Sequence, residues 1–396
     1  MAGDLAPDTG TMVLALVAAG WFAATVSYFL SRLLVRLSLL PDHPNFRSSH
    51  SVVTPRAGGI AIYGAWAMSL AILVFFFWMQ NIETQLLKLV FLGGLAFMIG
   101  AIDDAYRVSP TLKFAGQLVV ASLFVAVFGP IETFPLPVLG DTDLGVFSVF
   151  LTLFWIVGFM NAYNFMDGVN GIASTCAIFV LSAFAVSASL AGVGIWAMAA
   201  VLLAVALSGF VPINLRHGRL FMGDNGSMSV GFVIAALAVL GTNGSDGRLS
   251  IIFVPMAFLP FLVDVMFTIT HRARRGENVL SAHREHVYQL LNRLGRSHVR
   301  VTSLFLATTS LTCVGAMMTL VLPPAWQWIA PASAVVVLVF VANRVYREAV
   351  QAQLLPSAPE QNSAEDIDDE TPAEMDSLLN ALGDPRSAQV IPAVAE

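Results

Sequence analysis

The feature that most limits what this chain can fold into is a series of eleven apolar runs, each near the ~20 residues a helix needs to cross a bilayer core. They fall at 11–34, 60–79, 86–102, 112–129, 146–162, 172–190, 194–211, 227–243, 250–270, 301–322 and 327–345. Only 12% of the 396 residues are charged, against about 25% in ordinary soluble domains. The expectation is an all-α polytopic membrane protein of about eleven transmembrane helices. The stretch 172–211 could be divided differently, and no internal repeat is visible, which weighs against a transporter built from inverted halves.

The formal charge of -6 misleads, because residues 351–396 hold ten Asp/Glu and one Arg. The remainder carries 16 acids and 19 bases, a net of +3. Residues 1–350 are therefore expected to form the membrane domain. Residues 351–396 read as an acidic, disordered cytoplasmic tail with a short helix near Met375–Leu382. No nucleic-acid partner is expected. Cys176 and Cys313 both lie inside apolar runs, which argues against a disulfide framework. The first run has Asp4 and Asp8 before it and no basic segment, so it reads as a membrane helix and not as a cleaved signal.

Orientation follows from the basic residues, which favour the cytoplasmic side. With the N-terminus outside, the inner segments and the helix ends beside them carry seventeen Arg and Lys, and the outer ones only Lys88 and Arg248. The expected topology is N-out, C-in. Residues 130–145, with Pro130, Pro135, Pro137 and Gly140, read as an external turn or small hairpin.

This topology puts the notable acids on one face. Asp103-Asp104 close the third run, Asp167 follows the fifth, Asp224 precedes the eighth, and Asp42 lies in the first inner loop. Each has a plainer reading. Asp224 could be a simple helix cap. Asp167-Gly168 and Asn170-Gly171 are ordinary turn pairs. Asp103-Asp104 could be a solvated helix end, although paired acids at a helix C-terminus oppose the macrodipole and call for a cation. Asp264 is an acid inside the ninth run and needs a partner, for which an arginine at the helix end is the expectation. Carboxylates in such a group suit Mg²⁺, which binds through one or two of them plus substrate phosphates.

The largest inner loop, 271–300, supplies the opposite sign. Its outer arginines read as a patch for anionic lipid. His283, Arg284 and His286 read as part of a site for a phosphorylated substrate. Gly58-Gly59, after Pro55-Arg56, allows close backbone approach at the start of the second run.

Five motifs in order carry a family resemblance over roughly residues 12–345. They are Asp42-His-Pro44-Asn45-Phe-Arg47-Ser-Ser-His50 with Pro55-Arg-Ala-Gly58-Gly59; Gly100-Ala-Ile-Asp103-Asp104; Asn161-Ala-Tyr-Asn164-Phe-Met-Asp167-Gly168; Phe221-Met-Gly223-Asp224-Asn-Gly226-Ser227; and the His283/Arg284/His286 loop. The chain resembles the bacterial polyprenyl-phosphate N-acetylhexosamine-1-phosphate transferases. The resemblance implies transfer of a sugar 1-phosphate from a UDP-N-acetyl sugar to undecaprenyl phosphate, releasing UMP, in the bacterial inner membrane. It implies a cytoplasmic active site that uses Mg²⁺, with Mn²⁺ as a substitute, and it allows a homodimer.

The same resemblance assigns roles. Asp224 and Asp167 become metal ligands, and Asp103 and Asp104 position or deprotonate the lipid phosphate, Asp167 being catalytic with them. Asp42, Asn45, Arg47, His50, Asn161, Asn164, His283, Arg284 and His286 bind substrate. Two departures stand out. Asn170 occupies a position where many relatives have a second acid, and the last loop reads His283-Arg-Glu-His286-Val-Tyr288-Gln289 where many have a denser histidine run. The second departure points toward the branch that starts O-antigen with deoxy sugars such as FucNAc or QuiNAc. A transporter for a phosphorylated lipid and an inactive assembly scaffold are the alternatives.

Overall fold

The structure, a computed structural model, describes residues 9–42, 53–76, 82–137, 139–278, 283–323 and 326–355. Among these, thirteen helices and two short hairpins follow one another. Ten helices are long and apolar enough to cross a membrane. They are α1 (Thr9–Leu37), α2 (Gly58–Phe76), α3 (Ile82–Tyr106), α4 (Pro110–Phe128), α5 (Phe147–Phe165), α6 (Ile172–Leu190), α7 (Gly194–His217), α8 (Gly223–Gly244), α12 (His298–Met318) and α13 (Ile329–Gln351). The others are α9 (Phe253–Ala257), α10 (Leu259–Arg274) and α11 (Val287–Arg293).

The run at 250–270, expected as one span, is broken. Pro255 lies inside α9 and Pro260 in the first turn of α10, with Phe258 at the joint. Proline lacks an N–H and excludes the preceding carbonyl, so an unbroken helix through this stretch is disfavoured. The 16 residues of α10 extend about 24 Å at 1.5 Å per residue. That is short of the ~30 Å hydrocarbon thickness. Its last turn carries His271, Arg272 and Arg274.

The core is organised around α8, whose residues from Asn225 to Thr242 are all buried. It packs against α3, α5, α2 and α7. Two glycines permit the closest approaches. A Cβ at Gly100 on α3 would lie 2.6 Å from the Asn225 Cα, and one at Gly59 on α2 would collide with Asn225 and Gly226. Small residues let helix backbones meet in this way where lipid offers no competing hydrophobic drive. Buried indoles find backbone acceptors: Trp66 Nε1 donates to Ala199 O at 2.9 Å, and Trp155 Nε1 donates to Ala235 O at 3.0 Å. Cys176 and Cys313 are both free and buried.

A smaller apolar cluster joins Phe267 of α10, Val287 and Leu290 of α11, and Ala342, Val345, Tyr346 and Ala349 of α13, with Leu355 beyond it. The fold therefore continues past residue 351. The strands β1 (Pro41–Asp42) and β2 (Thr54–Pro55) pair antiparallel. At 130–145, β3 (Thr133–Leu136) and β4 (Gly140–Asp143) form the expected hairpin, in register Thr133↔Asp143 to Leu136↔Gly140.

Candidate active site

Helix ends converge on one cleft of about 580 Å³, lined by Asp42, Arg56, Asp103, Asp104, Asn164, Asp167, Asp224 and Arg284 among others. The convergence has a local cause. Asp103 and Asp104 end α3, Asn164 lies in the last turn of α5, and Asp224 lies in the first turn of α8. Ser109 caps α4 by accepting from Leu112 N at 3.3 Å, and Pro110 starts it. The turn between α3 and α4 is thus tight, and Lys113 in the first turn of α4 faces back toward the acids.

The adjacent acids of α3 are satisfied differently. Asp103 Oδ2 lies 2.9 Å from Lys113 Nζ, which also meets Asp224 Oδ2. Asp104 serves the N-terminus of α8: Oδ1 accepts from Asp224 N at 3.1 Å and Oδ2 from Asn225 N at 2.8 Å, with Asn225 Nδ2 beside them. A carboxylate there satisfies orphan amides and the helix dipole together. The residue capping α8 is therefore Asp104 from a neighbouring helix. Asp224 itself is left to face the cleft, where Asn164 Nδ2 donates to its Oδ1 at 2.9 Å and to Ser227 Oγ at 2.7 Å.

Asp167 sits in the turn after α5. Burial pushes its carboxyl well above the usual carboxylate range, the charges of Asp224 and Asp104 push it further, and Arg56 opposes them. Arg56 is aimed by Asp42, a buried acid at 3.0 Å from Arg56 Nη2. Asp42 thus acts through Arg56 while also lining the cleft. The Asp167 turn is pinned from several sides. Gly171 N donates to Asn214 Oδ1 at 2.6 Å, Asn170 N donates to His298 Nδ1 at 3.4 Å, and Thr302 Oγ1 donates to Asn170 O at 2.9 Å.

Not every expected residue reaches the cleft wall. Asn161 instead exchanges hydrogen bonds with Gln117 of α4 at 2.7 and 3.2 Å. Of the basic loop, Arg284 lines the cleft together with Gln289 and Asn292 of α11. His286 points away: its Nδ1 donates to Asp264 Oδ1 at 3.0 Å, since a carboxylate can only accept. The His283 ring lies tilted by 39° against that of His286 with centroids 4.9 Å apart, and burial followed by the charges of His286 and Arg272 lowers its pKa to about 4. Asn45, Arg47 and His50 lie outside the described residues.

Two expectations are corrected. The partner of Asp264 is not a helix-end arginine but the start of α11, where Val287 N donates at 2.9 Å and Tyr288 N at 3.0 Å. The run 250–270 breaks and the loop folds back onto it, which brings that helix start within reach. Arg272 and Arg275 are not free for lipid either. Arg272 pairs with Glu277 at 2.7 Å and Glu285 at 2.8 Å, and Arg275 pairs with the same two acids. The loop is thereby a braced element, with Tyr346 Oη donating to Glu285 O at 2.9 Å.

Arg56, Gln289 and Asn292 line the cleft and Lys113 pairs with two of its acids, and sequence reasoning had assigned none of the four to the site. For Lys113 a signal existed: a Ser-Pro helix start directly after an acidic helix end puts the first-turn lysine beside those acids.

Among the described residues no three His, Cys, Asp or Glu side chains form a ready-made metal cage. Mg²⁺ does not require one, because one or two carboxylates suffice when substrate phosphates complete the shell. The Lys113 ammonium between Asp103 and Asp224 marks a place where these oxygens accept a cation. The donor set fits.

Comparison with known proteins identifies the family. The model of glycosyl transferase family 4 matches residues 86–242, which contain Asp103, Asp104, Lys113, Asn164, Asp167 and Asp224. The chain is 31% identical over 277 residues to the Bacillus subtilis protein named "Probable undecaprenyl-phosphate N-acetylglucosaminyl 1-phosphate transferase", covering 69% of this chain and 75% of the relative. It is 30% identical over 372 residues to the decaprenyl-phosphate N-acetylglucosaminephosphotransferase of Mycolicibacterium smegmatis, covering 84% and 90%. The undecaprenyl-phosphate alpha-N-acetylglucosaminyl 1-phosphate transferase of Escherichia coli K12 is 29% identical over 307 residues, covering 74% and 80%. The chain belongs to glycosyl transferase family 4, among the polyprenyl-phosphate N-acetylhexosamine-1-phosphate transferases.

Proposed function

We propose that this chain transfers N-acetylglucosamine 1-phosphate from UDP-N-acetylglucosamine to a polyprenyl phosphate, undecaprenyl phosphate being the acceptor of choice, with release of UMP. The supporting observation is the convergence of Asp103, Asp104, Asn164, Asp167 and Asp224 on one cleft, with Lys113 paired to two of these acids, in a family whose relatives bear that activity in their names. An oxygen of the lipid phosphate attacks the sugar-bearing phosphorus. The bond from that phosphorus to the bridging oxygen breaks, and UMP leaves with the electron pair. Such a transfer asks the protein for positioning and charge neutralisation more than for covalent chemistry.

The residues divide the work. Asp104 is committed to the α8 N-terminus, so Asp103 is the acid that meets the acceptor phosphate and takes its proton. Lys113 is held between Asp103 and Asp224 and can turn to an incoming phosphate, an exchange of one anion for another. Arg56 and Arg284 on the cleft wall suit the donor diphosphate, and Asn164 keeps Asp224 oriented. Asp224 and Asp167 would hold Mg²⁺, which supplies Lewis-acid neutralisation of phosphate charge. The basic-residue bias supports an orientation with the N-terminus outside and this cleft at the cytoplasmic face of the membrane.

The relatives' names favour GlcNAc, whereas the histidine-poor loop favoured FucNAc or QuiNAc and an O-antigen pathway; GlcNAc is the first donor to test and the deoxy sugars are the second. The transport alternative needed a functional acid deep in the membrane, and Asp264 is fully occupied as an anchor. The test is UMP release by purified protein given UDP-GlcNAc, undecaprenyl phosphate and Mg²⁺. Release that needs all three supports the proposal. None from any UDP-N-acetyl sugar, with the protein folded, refutes it.

A further inference from the structure

We propose that Tyr288 is a positioning residue that fixes the distance between the Arg284/Gln289/Asn292 wall of the cleft and the Asp167 turn, an inference that rests on the transferase reading. Tyr288 is buried on α11 and ties together parts far apart in sequence. Its backbone N–H is held by Asp264 of α10, and its hydroxyl donates to Phe165 O at 2.8 Å. Phe165 is the last residue of α5, where helix carbonyls lack partners of their own. The ring lies near-parallel to His286 at 5.8 Å and edge-on to Phe305 of α12 at 6.5 Å. One side chain therefore spans from the element carrying Gln289 and Asn292 to the turn carrying Asp167.

Gly168 is the other half of this joint. It lines the cleft beside Asp167. It is not among the glycines with positive φ, so its backbone would accept any residue. What it lacks is room: a Cβ there would run into the Tyr288 hydroxyl and stand 3.0 Å from its Cζ and 3.2 Å from its Cε2. The pair is a small residue against a large one, and the contact sets how near the two walls stand.

The test compares Tyr288→Phe, Gly168→Ala and the double variant with wild type, following UMP release against both substrates. Tyr288→Phe is expected to raise KM for UDP-GlcNAc roughly five-fold, the worth of one hydrogen bond, and to leave KM for the lipid phosphate unchanged. A merely structural role would lower the active fraction and move neither KM. Gly168→Ala alone is expected to lose more than ten-fold in kcat/KM for the donor. Adding Tyr288→Phe removes the clashing oxygen and should restore several-fold of that loss. Unchanged donor KM in Tyr288→Phe, or a double variant no better than Gly168→Ala, would overturn the inference. Wild-type protein that releases no UMP would overturn the transferase reading and this inference with it.

Discussion

Replacing Asp264 with Asn tests how the basic loop is held. The carboxylate is 2% exposed and accepts from Val287 N, Tyr288 N and His286 Nδ1, with Thr268 Oγ1 at 3.3 Å. Asparagine keeps the shape but has one acceptor oxygen, so its NH₂ must face at least one buried N–H. An orphaned buried donor costs about 1–3 kcal/mol, and each bond kept falls from charge-assisted to neutral strength, about 1 kcal/mol apiece. The expected cost is about 4 kcal/mol, concentrated at the start of α11. This corresponds to about a thousand-fold in a local opening constant. The assay is hydrogen exchange by mass spectrometry on a peptide covering 285–293 in detergent-solubilised protein, with a peptide from the middle of α8 as control. Exchange of the Val287 and Tyr288 amides should accelerate by about three decades while the α8 peptide is unchanged. Acceleration under three-fold, or equal acceleration of both peptides, would refute the view that Asp264 is the local clasp of this loop.

Three further outcomes follow from the same geometry. Asp224→Asn and Lys113→Met should each lower turnover at least about 100-fold, the usual scale for an electrostatic group acting in a transition state, with size-exclusion profiles unchanged; near-normal UMP release from both would remove them from the site. Burial holds the His283 pKa near 4 against about 6.5 in the unfolded chain, so the folded state binds fewer protons in that window. Stability should then fall as pH drops from 6.5 toward 4; a pH series of thermal melts should show this, with the slope reduced in His283→Gln. Truncation after Leu355 should leave activity intact, whereas truncation after Ala349 should not, because it removes Leu355 from the second cluster and the Leu354 carbonyl that accepts from Arg293 Nη2 at 2.9 Å; equal activity of the two truncations would contradict that docking role.

The sequence carried the architecture well because membrane helices announce themselves by length and apolar content. The division at 172–211 falls at α6 and α7 as expected, since Gly192 and Gly194 interrupt it. The break in 250–270 was less legible: Pro255 and Pro260 were visible, but hydropathy is blind to a kink inside an apolar run. Asp103, Asp104, Asp167 and Asp224 could be gathered on one face from topology alone. Which of them would be used for structure could not, because Asp104 is consumed by a helix start 120 residues away. Asp264 shows the same limit. Its need for a partner followed from its depth, but the partner came from a fold-back of the loop that no local pattern encodes. Lys113 went unread as a site residue although its Ser-Pro start was in plain view, because a lone lysine at a helix start is commonplace.

The most direct measurement is UMP release by the purified protein in detergent, with UDP-GlcNAc, undecaprenyl phosphate and Mg²⁺ each omitted in turn. UMP formed only when all three are present is the predicted result. UMP formed without the lipid phosphate, or none formed with any UDP-N-acetyl sugar by folded protein, would contradict the proposed transfer.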